Sequence, residues 1–183
     1  MAAPFSLADA LEHYRRRWPD EYAGIDAFVS FLRRHGEDAF HRHCEPGHFT
    51  GSAWLVSGDG ERVLLTHHRK LERWLQPGGH CDGDPDLPRV ALREAQEETG
   101  LDGLQIDPAI FDIDRHRIPA RSGEPGHWHY DVRFVVRATV TEAFTVSQES
   151  HDLAWRRLDQ VELDEHADPS VRRMAAKWLT QST

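Results

Sequence analysis

Gly78-Gly79-His80-Cys81-Asp82-Gly83-Asp84-Pro85, running on to Arg93-Glu94-Ala95-Gln96-Glu97-Glu98-Thr99-Gly100-Leu101, is the stretch on which the reading of this chain turns. Its periodicity predicts a helix over Leu87–Thr99, with Gly100 as the residue that closes it. Asp84 is the expected N-cap, with Pro85 at the first helical position. At about 100° per residue, Glu94, Glu97 and Glu98 fall within roughly a 100° arc of one face. Ala91, Leu92, Ala95 and Thr99 take the neighbouring arc, which is expected to pack on a sheet. Like charges spaced i, i+3 and i+4 repel by roughly 0.2–0.5 kcal/mol per pair in an isolated helix. A hard divalent cation such as Mg2+ removes the conflict, because it prefers carboxylate oxygens. Arg93 is expected to pair with Glu97 one turn on. The bland alternative is an acidic solvated face. The Gly-Gly loop and the Arg-Glu, Glu-Glu, Gly spacing favour the metal.

Working outward, the texture before the loop is that of strands. Ser52–Ser57 and Arg62–Thr66 are runs rich in branched and aromatic residues, split by the hairpin turn Gly58-Asp59-Gly60. A third short strand is expected near Arg73–Gln76. After the helix, Ala109–Ile118 and Trp128–Val140 read as longer strands joined by the loop Pro119–Gly126. Ala154–Leu158 reads as a short strand and Ser170–Leu179 as a closing helix. Residues 1–45 read as helical instead, with stripes Leu7, Leu11, Tyr14, Trp18 and Ile25, Phe28, Val29, Leu32, the second closed near Gly36. Arg15-Arg16-Arg17 is expected on the solvated side of the first helix. This segment is a lid or brace. One α/β domain with a mixed sheet fits the order of elements.

Composition narrows the function. The chain has 183 residues with 22 basic and 31 acidic side chains, a net charge of −9. An acidic field argues against binding of duplex nucleic acid or anionic membrane. Cys44 and Cys81 cannot form a disulfide framework. No apolar run approaches the roughly 20 residues of a membrane span, and Met1–Ala10 lacks a basic leader segment. A cytoplasmic globular protein is the expectation, with a homodimer left open.

The quoted stretch resembles the signature of the Nudix hydrolases: Gly, five residues, Glu, seven residues, then Arg-Glu-apolar-any-Glu-Glu-any-Gly-apolar. Counted from Gly79, the chain supplies Arg93, Glu94, Ala95, Glu97, Glu98, Gly100 and Leu101 in register, with Pro85 where the first Glu belongs. Counted from Gly78, Asp84 takes that place with one extra residue before Arg93. The resemblance implies an α/β/α sandwich with a mixed sheet over residues 46–183, carrying residues 1–45 as a helical extension. It implies hydrolysis of a nucleoside diphosphate linked to another moiety, with Mg2+ (or Mn2+) held by Glu94, Glu97, Glu98 and the Gly78 carbonyl. Arg93 counts among the catalytic residues on the same ground. Many members use a further carboxylate from a loop before a Trp-containing strand. Glu149 occupies such a loop here, with Asp152 as its rival. An isomerase branch of the fold uses a Cys and a Glu, which makes Cys81 a point of comparison, though the intact carboxylate helix favours hydrolysis.

Thirteen histidines form the second unusual feature. His127-Trp128-His129-Tyr130-Asp131 opens a strand, so His127, His129 and Asp131 share one face. His116 lies on the preceding strand. Imidazoles with a carboxylate suit a substrate-binding wall, a structural polar face or a transition-metal site. Asp131 is expected to favour the imidazolium of His129 and a bound Mg2+ to oppose it, so the charge of that ring is left open. His67, His68 and His80 lie near the Gly-Gly loop without a specific spacing. Trp54, Trp74, Trp128, Tyr130 and Trp155 are candidates to stack a base. The leading reading is thus a small-molecule pyrophosphohydrolase. Its rivals are a non-catalytic nucleotide-binding module, for which Pro85 argues, and a histidine-based zinc protein.

Overall fold

The computed structural model describes residues 4–68, 72–120, 123, 125–146 and 150–181. Helix α1 (Leu7–Arg17) and helix α2 (Tyr22–His35) lead into strand β1 (Gly47–Val56). Strands β2 (Arg62–His68), β3 (Arg73–Leu75) and β4 (Gly78–His80) precede helix α3 (Leu87–Thr99). Strands β5 (Leu104–Ile118), β6 (His127–Ala138) and β7 (Ser150–Arg157), then helices α4 (Leu158–Leu163) and α5 (Pro169–Gln181), complete the chain. The sheet runs β3-β2-β1-β6-β5, with β4 added to β1 and β7 to β2. Only β1 and β6, among the described strand pairs, run parallel. The expected mixed sheet between helical layers is present.

Helix α3 lies directly on β1. A Cβ at Gly51 would sit 3.0–3.2 Å from Val90, the Leu87 carbonyl and the Ala91 nitrogen, so glycine allows the helix backbone to touch the strand. Val90, Ala91, Ala95 and Thr99 are fully buried in that contact, while Leu92 is only partly covered. Gly100 takes φ +65° and donates its N–H to the Gln96 carbonyl at 2.8 Å, as the sequence predicts. The start differs. The N-cap is Asp86, whose carboxylate accepts from the Arg89 N–H at 3.2 Å, and Pro88 rather than Pro85 stands in the first turn. Asp84 stays in the loop, accepting from the Asp86 N–H at 2.9 Å and from the Arg89 guanidinium at 2.6 and 2.8 Å.

The sheet's two faces have different covers. Phe28 and Phe31 of α2 pack on Tyr130 of β6, with Phe31 stacked at 4.1 Å between centroids, and α1 adds Leu7, Leu11 and Tyr14 to the same core. The N-terminal helices therefore brace the sheet from beneath, sharing its core. The arginine run is only partly solvated. Arg16 and Arg17 are exposed as expected, Arg17 meeting Gln181 of α5 at 2.9 Å, whereas Arg15 is half-buried and reaches Asp26 of α2 at 2.6 Å.

On the other face, Val171, Met174 and Trp178 of α5 pack on Trp54, Val56 and Phe111. Beside them lies a buried ionic network. Arg133 of β6, 2% exposed, meets Asp131 at 2.7 Å and Asp112 at 3.2 Å, and Asp112 also takes Arg173 at 2.7 Å and Lys177 at 2.9 Å.

Candidate active site

Strand β4 carries the Gly-Gly loop past the end of β1 and up against α3. Ser52 pairs with Gly78 and Thr50 with His80, which fixes the loop in the sheet. Gly78 donates its N–H to Glu98 Oε1 at 2.8 Å. Arg93 donates to the His80 carbonyl at 2.9 Å and to Glu94 Oε1 at 2.7 Å, so it pairs with its neighbour Glu94 and not with Glu97. Sequence spacing suggested the i, i+4 pair, but the β4 carbonyl draws the guanidinium to the near end of the helix. The Glu94 carboxylate lies over Gly79, in space that any side chain there would fill. Glu94, Glu97 and Glu98 line one cavity of about 780 Å³. Carboxylate oxygens facing an open cavity are the donor set of a hard divalent cation, so these residues fit Mg2+.

The opposite wall is made of histidines. Strand pairing sets His48 of β1 beside His129 of β6, and His129 beside His116 of β5. Ring centroids lie 4.8 Å apart for His48 and His129, 5.0 Å for His48 and His80, and 5.1 Å for His80 and His129. His127 joins them, its Nε2 being 3.2 Å from His129 Nε2 and its Nδ1 3.0 Å from the Pro125 carbonyl. Burial, reinforced by neighbouring imidazoles, pushes His48 down to about 4 and His129 far below the ordinary histidine value. Asp131 does not reverse this. Its carboxylate is occupied by Thr50 at 2.8 Å, Ser52 at 2.7 Å, Gln76 at 3.3 Å and Arg133 at 2.7 Å, so of the two opposed influences on His129 the one toward the neutral ring prevails. His116 is the exception. A hydrogen bond to Asp114 at 3.2 Å raises it above the ordinary value and so favours its charged form at the cavity rim. Burial alone would raise Asp114, but that hydrogen bond and the charges of Arg133 and Arg173 hold it well below the carboxylate range.

A carboxylate helix packed on a mixed sheet beside a Gly-Gly strand is a recognisable unit, and the model of the NUDIX domain matches residues 48–178. The chain belongs to the Nudix family. An m7GpppN-mRNA hydrolase of Xenopus laevis is 31% identical over 98 residues, 50% of this chain and 33% of the frog protein. The chain thus spans about a third of that relative's length. An RNA pyrophosphohydrolase of Sphingopyxis alaskensis is 28% identical over 134 residues, covering 66% of this chain and 82% of that one. Among solved structures, a C. elegans Ap4A hydrolase shares the fold with a TM-score of 0.58 at 16% identity, over 73% of this chain and 96% of the other.

Several expected participants among the described residues stand elsewhere in this Nudix fold. Glu149 lies outside the described residues. Asp152 is exposed on β7 and accepts from the Leu153 N–H at 2.8 Å, and it does not line the cavity. Cys81 is 1% exposed and donates to the Phe49 carbonyl at 3.2 Å, and burial pushes its thiol up, so it is no proton carrier at neutral pH. Trp54, Trp74, Trp128, Tyr130 and Trp155 are absent from the cavity lining as described. Trp54 stacks on Phe111, and Trp128 lies under Arg115.

Two contributors were not read from the sequence. Arg42, just after the N-terminal helices, lines the cavity and grips Asp82 at 2.6 Å. His48 was overlooked because the strand was expected to start at Ser52. The alternation His48, Thr50, Ser52 was the signal, but only pairing with β6 shows what those side chains face.

Proposed function

We propose that the chain is a Mg2+-dependent pyrophosphohydrolase, with Mn2+ as a substitute, that cleaves nucleoside diphosphates linked to another moiety. The observation that carries the proposal is the arrangement of Glu94, Glu97 and Glu98 along one wall of a large cavity, beside a loop whose glycines leave room for those carboxylates. These three, with the Gly78 carbonyl, would hold the ion, and Glu149 would add a carboxylate as ligand or base. When bound, the ion neutralises phosphate charge and acidifies a water for attack on phosphorus. The protein's own groups prepare the ground. Arg93 ties α3 to β4 and fixes Glu94, while the Gly78 N–H fixes Glu98. Arg42 offers positive charge to a phosphate in an otherwise acidic protein, Asp114 favours the charged form of His116 at the same rim, and neutral His129 offers a lone pair to a substrate N–H or O–H. Both free thiols, Cys44 and Cys81, are buried, which suits the reducing cytoplasm.

The two curated relatives are named for RNA, so a 5′ end of single-stranded RNA belongs beside free nucleotides among the substrates to try. The test is phosphate and nucleotide release from a panel of pyrophosphate compounds, ADP-ribose, dinucleoside polyphosphates, nucleotide sugars and capped RNA included, with Mg2+, Mn2+ or chelator. Metal-dependent release from a member of the panel is expected. Tight, stable nucleotide binding without product, across the whole panel, would make the protein a binding module instead.

A further inference from the structure

We propose that His48, His80 and His129 form a binding site for one divalent transition-metal ion of the zinc class, distinct in its ligands from the carboxylate helix. Among the described residues, theirs is the group of three metal-ligating side chains whose ligand atoms all lie within 4.8 Å of one another. Nitrogens each about 2.0–2.1 Å from a tetrahedral zinc ion are ~3.4 Å apart, so the trio is within side-chain adjustment of that geometry. All three ligands project from strands of one sheet, which fixes their bases in place: His48 opposes His129, and His80 opposes Thr50.

His48 is the most telling member. It is 3% exposed, and neither of its ring nitrogens has a hydrogen-bond partner among the described residues. Its ring faces His80 and His129, with His127 5.0 Å away. A buried imidazole that meets other imidazoles and satisfies neither nitrogen is a ligand in search of an ion.

The surrounding bonds orient the set. A carbonyl can only accept, so His127 carries its proton on Nδ1, toward Pro125. The 3.2 Å contact then takes its proton from His129 Nε2, which leaves His129 Nδ1 with a lone pair. Support of a ligand's far nitrogen by another group is the usual outer structure of such sites. Burial keeps His48 and His129 neutral near pH 7, the form that ligates. Imidazole donors without oxygen favour zinc, copper or nickel over magnesium. Cys81 is turned to the Phe49 carbonyl, so no thiolate joins the set. His80 and His129 line the same cavity as Glu94, Glu97 and Glu98, with His48 buried against them, so the ion would lie at the edge of substrate space.

This inference stands independently of the pyrophosphohydrolase reading. The test uses full-length, tag-free protein stripped with a chelator. Zinc is titrated against a chromophoric indicator, and Co2+ uptake is followed by its visible absorption. One equivalent of zinc is expected, with Co2+ bands of a four-coordinate, nitrogen-ligated ion and no displacement by excess Mg2+. His80→Ala and His129→Gln should each weaken zinc by at least about 10- to 100-fold, the scale that even outer partners of such sites command. Glu98→Gln should bind zinc like the parent chain. Absence of stoichiometric uptake, or parental affinity in both histidine variants, overturns the site. So does loss of zinc in Glu98→Gln, which would give the ion to the carboxylate helix. His80 is only partly buried, so His80→Ala decides the matter should His48→Gln or His129→Gln melt early by circular dichroism.

Discussion

The two walls of the cavity were assembled in opposite ways. Glu94, Glu97 and Glu98 come from five consecutive positions of one helix, while the histidines come from β4, β5 and β6, with His48 of β1 packed behind them. One wall is charged and held by local bonds, to Arg93 and the Gly78 N–H. The other is mostly neutral imidazole, positioned by strand register over a buried Asp131–Arg133 pair. Hard oxygen ligands on one side and borderline nitrogen ligands on the other divide the cavity by the kind of ion each can take. Helical spacing writes the first wall into a short word of sequence. Tertiary pairing alone writes the second.

The division predicts that the walls fail separately. Glu98→Gln should lower turnover on the true substrate by about 10²–10⁴, the scale for losing an essential charged group. Stability should hold or rise slightly, since one member of a repelling set is neutralised, and thermal melting with steady-state kinetics reads both. A variant that keeps about half of parental turnover or more would remove the carboxylate wall from the chemistry.

This contrast also explains what was legible. Helix α3 and the carboxylates' shared face follow from i, i+3, i+4 spacing, and Gly100 ends the helix because an L-residue there would be strained at positive φ. The face shared by His127, His129 and Asp131 follows from the period of a strand. Its partners do not. His48 stands 81 positions before His129, and only the parallel pairing of β1 with β6 joins them. The starting cap slid from Asp84 to Asp86 because two Asp-Pro-like junctions compete in Asp84-Pro85-Asp86-Leu87-Pro88, and Arg89 settled it by pairing back to Asp84. Strand β4 was invisible, since Gly-Gly-His has little strand propensity and is held by β1. The charge of His129 is undecided by sequence for a related reason: a nearby carboxylate raises an imidazole only if nothing else claims it, and Arg133 does.

If the histidine wall leans on the buried ionic network, breaking that network should cost stability before it costs chemistry. Arg133→Met leaves Asp112 and Asp131 with fewer partners in a water-poor interior, and about 3–5 kcal/mol of destabilisation is expected. Urea unfolding measures it. A loss under about 1 kcal/mol would mean that Lys177 and Arg173 already neutralise this region and that the histidine wall stands without Arg133.

The walls should also part company in acid. His48, held at about 4, stays neutral in the fold while the unfolded chain takes up a proton near 6.5. The unfolded state therefore binds more protons between those values, and stability falls as pH drops from about 6.5 to about 4, by up to about 1.4 kcal/mol per pH unit for each such histidine. His129 adds to the same slope. His116 acts oppositely: its raised value gives stability that is full below about 6.5 and lost as pH climbs through the folded value. In chelator-treated protein, melting temperature followed from pH 7 to 4 should fall less steeply for His48→Gln than for the parent. Equal slopes would place the acid sensitivity elsewhere.

The smallest effect belongs to His129 as a contact for substrate. Because the ring is neutral and its Nε2–H is turned to His127, it can offer a substrate base or hydroxyl only a neutral acceptor, worth about 0.5–1.5 kcal/mol, or up to about tenfold in kcat/KM. His129→Ala should show that loss with Mg2+ in place and zinc withheld. Gln presents an amide oxygen at a comparable reach and carries no charge, so His129→Gln should recover much of it. If charge were the functional quantity, Gln would recover nothing, and the activity of the parent would climb as pH fell. Parental kcat/KM in both variants, combined with a lower melting temperature, would leave this wall with no part in binding substrate and make its worth a matter of packing and of the ion alone.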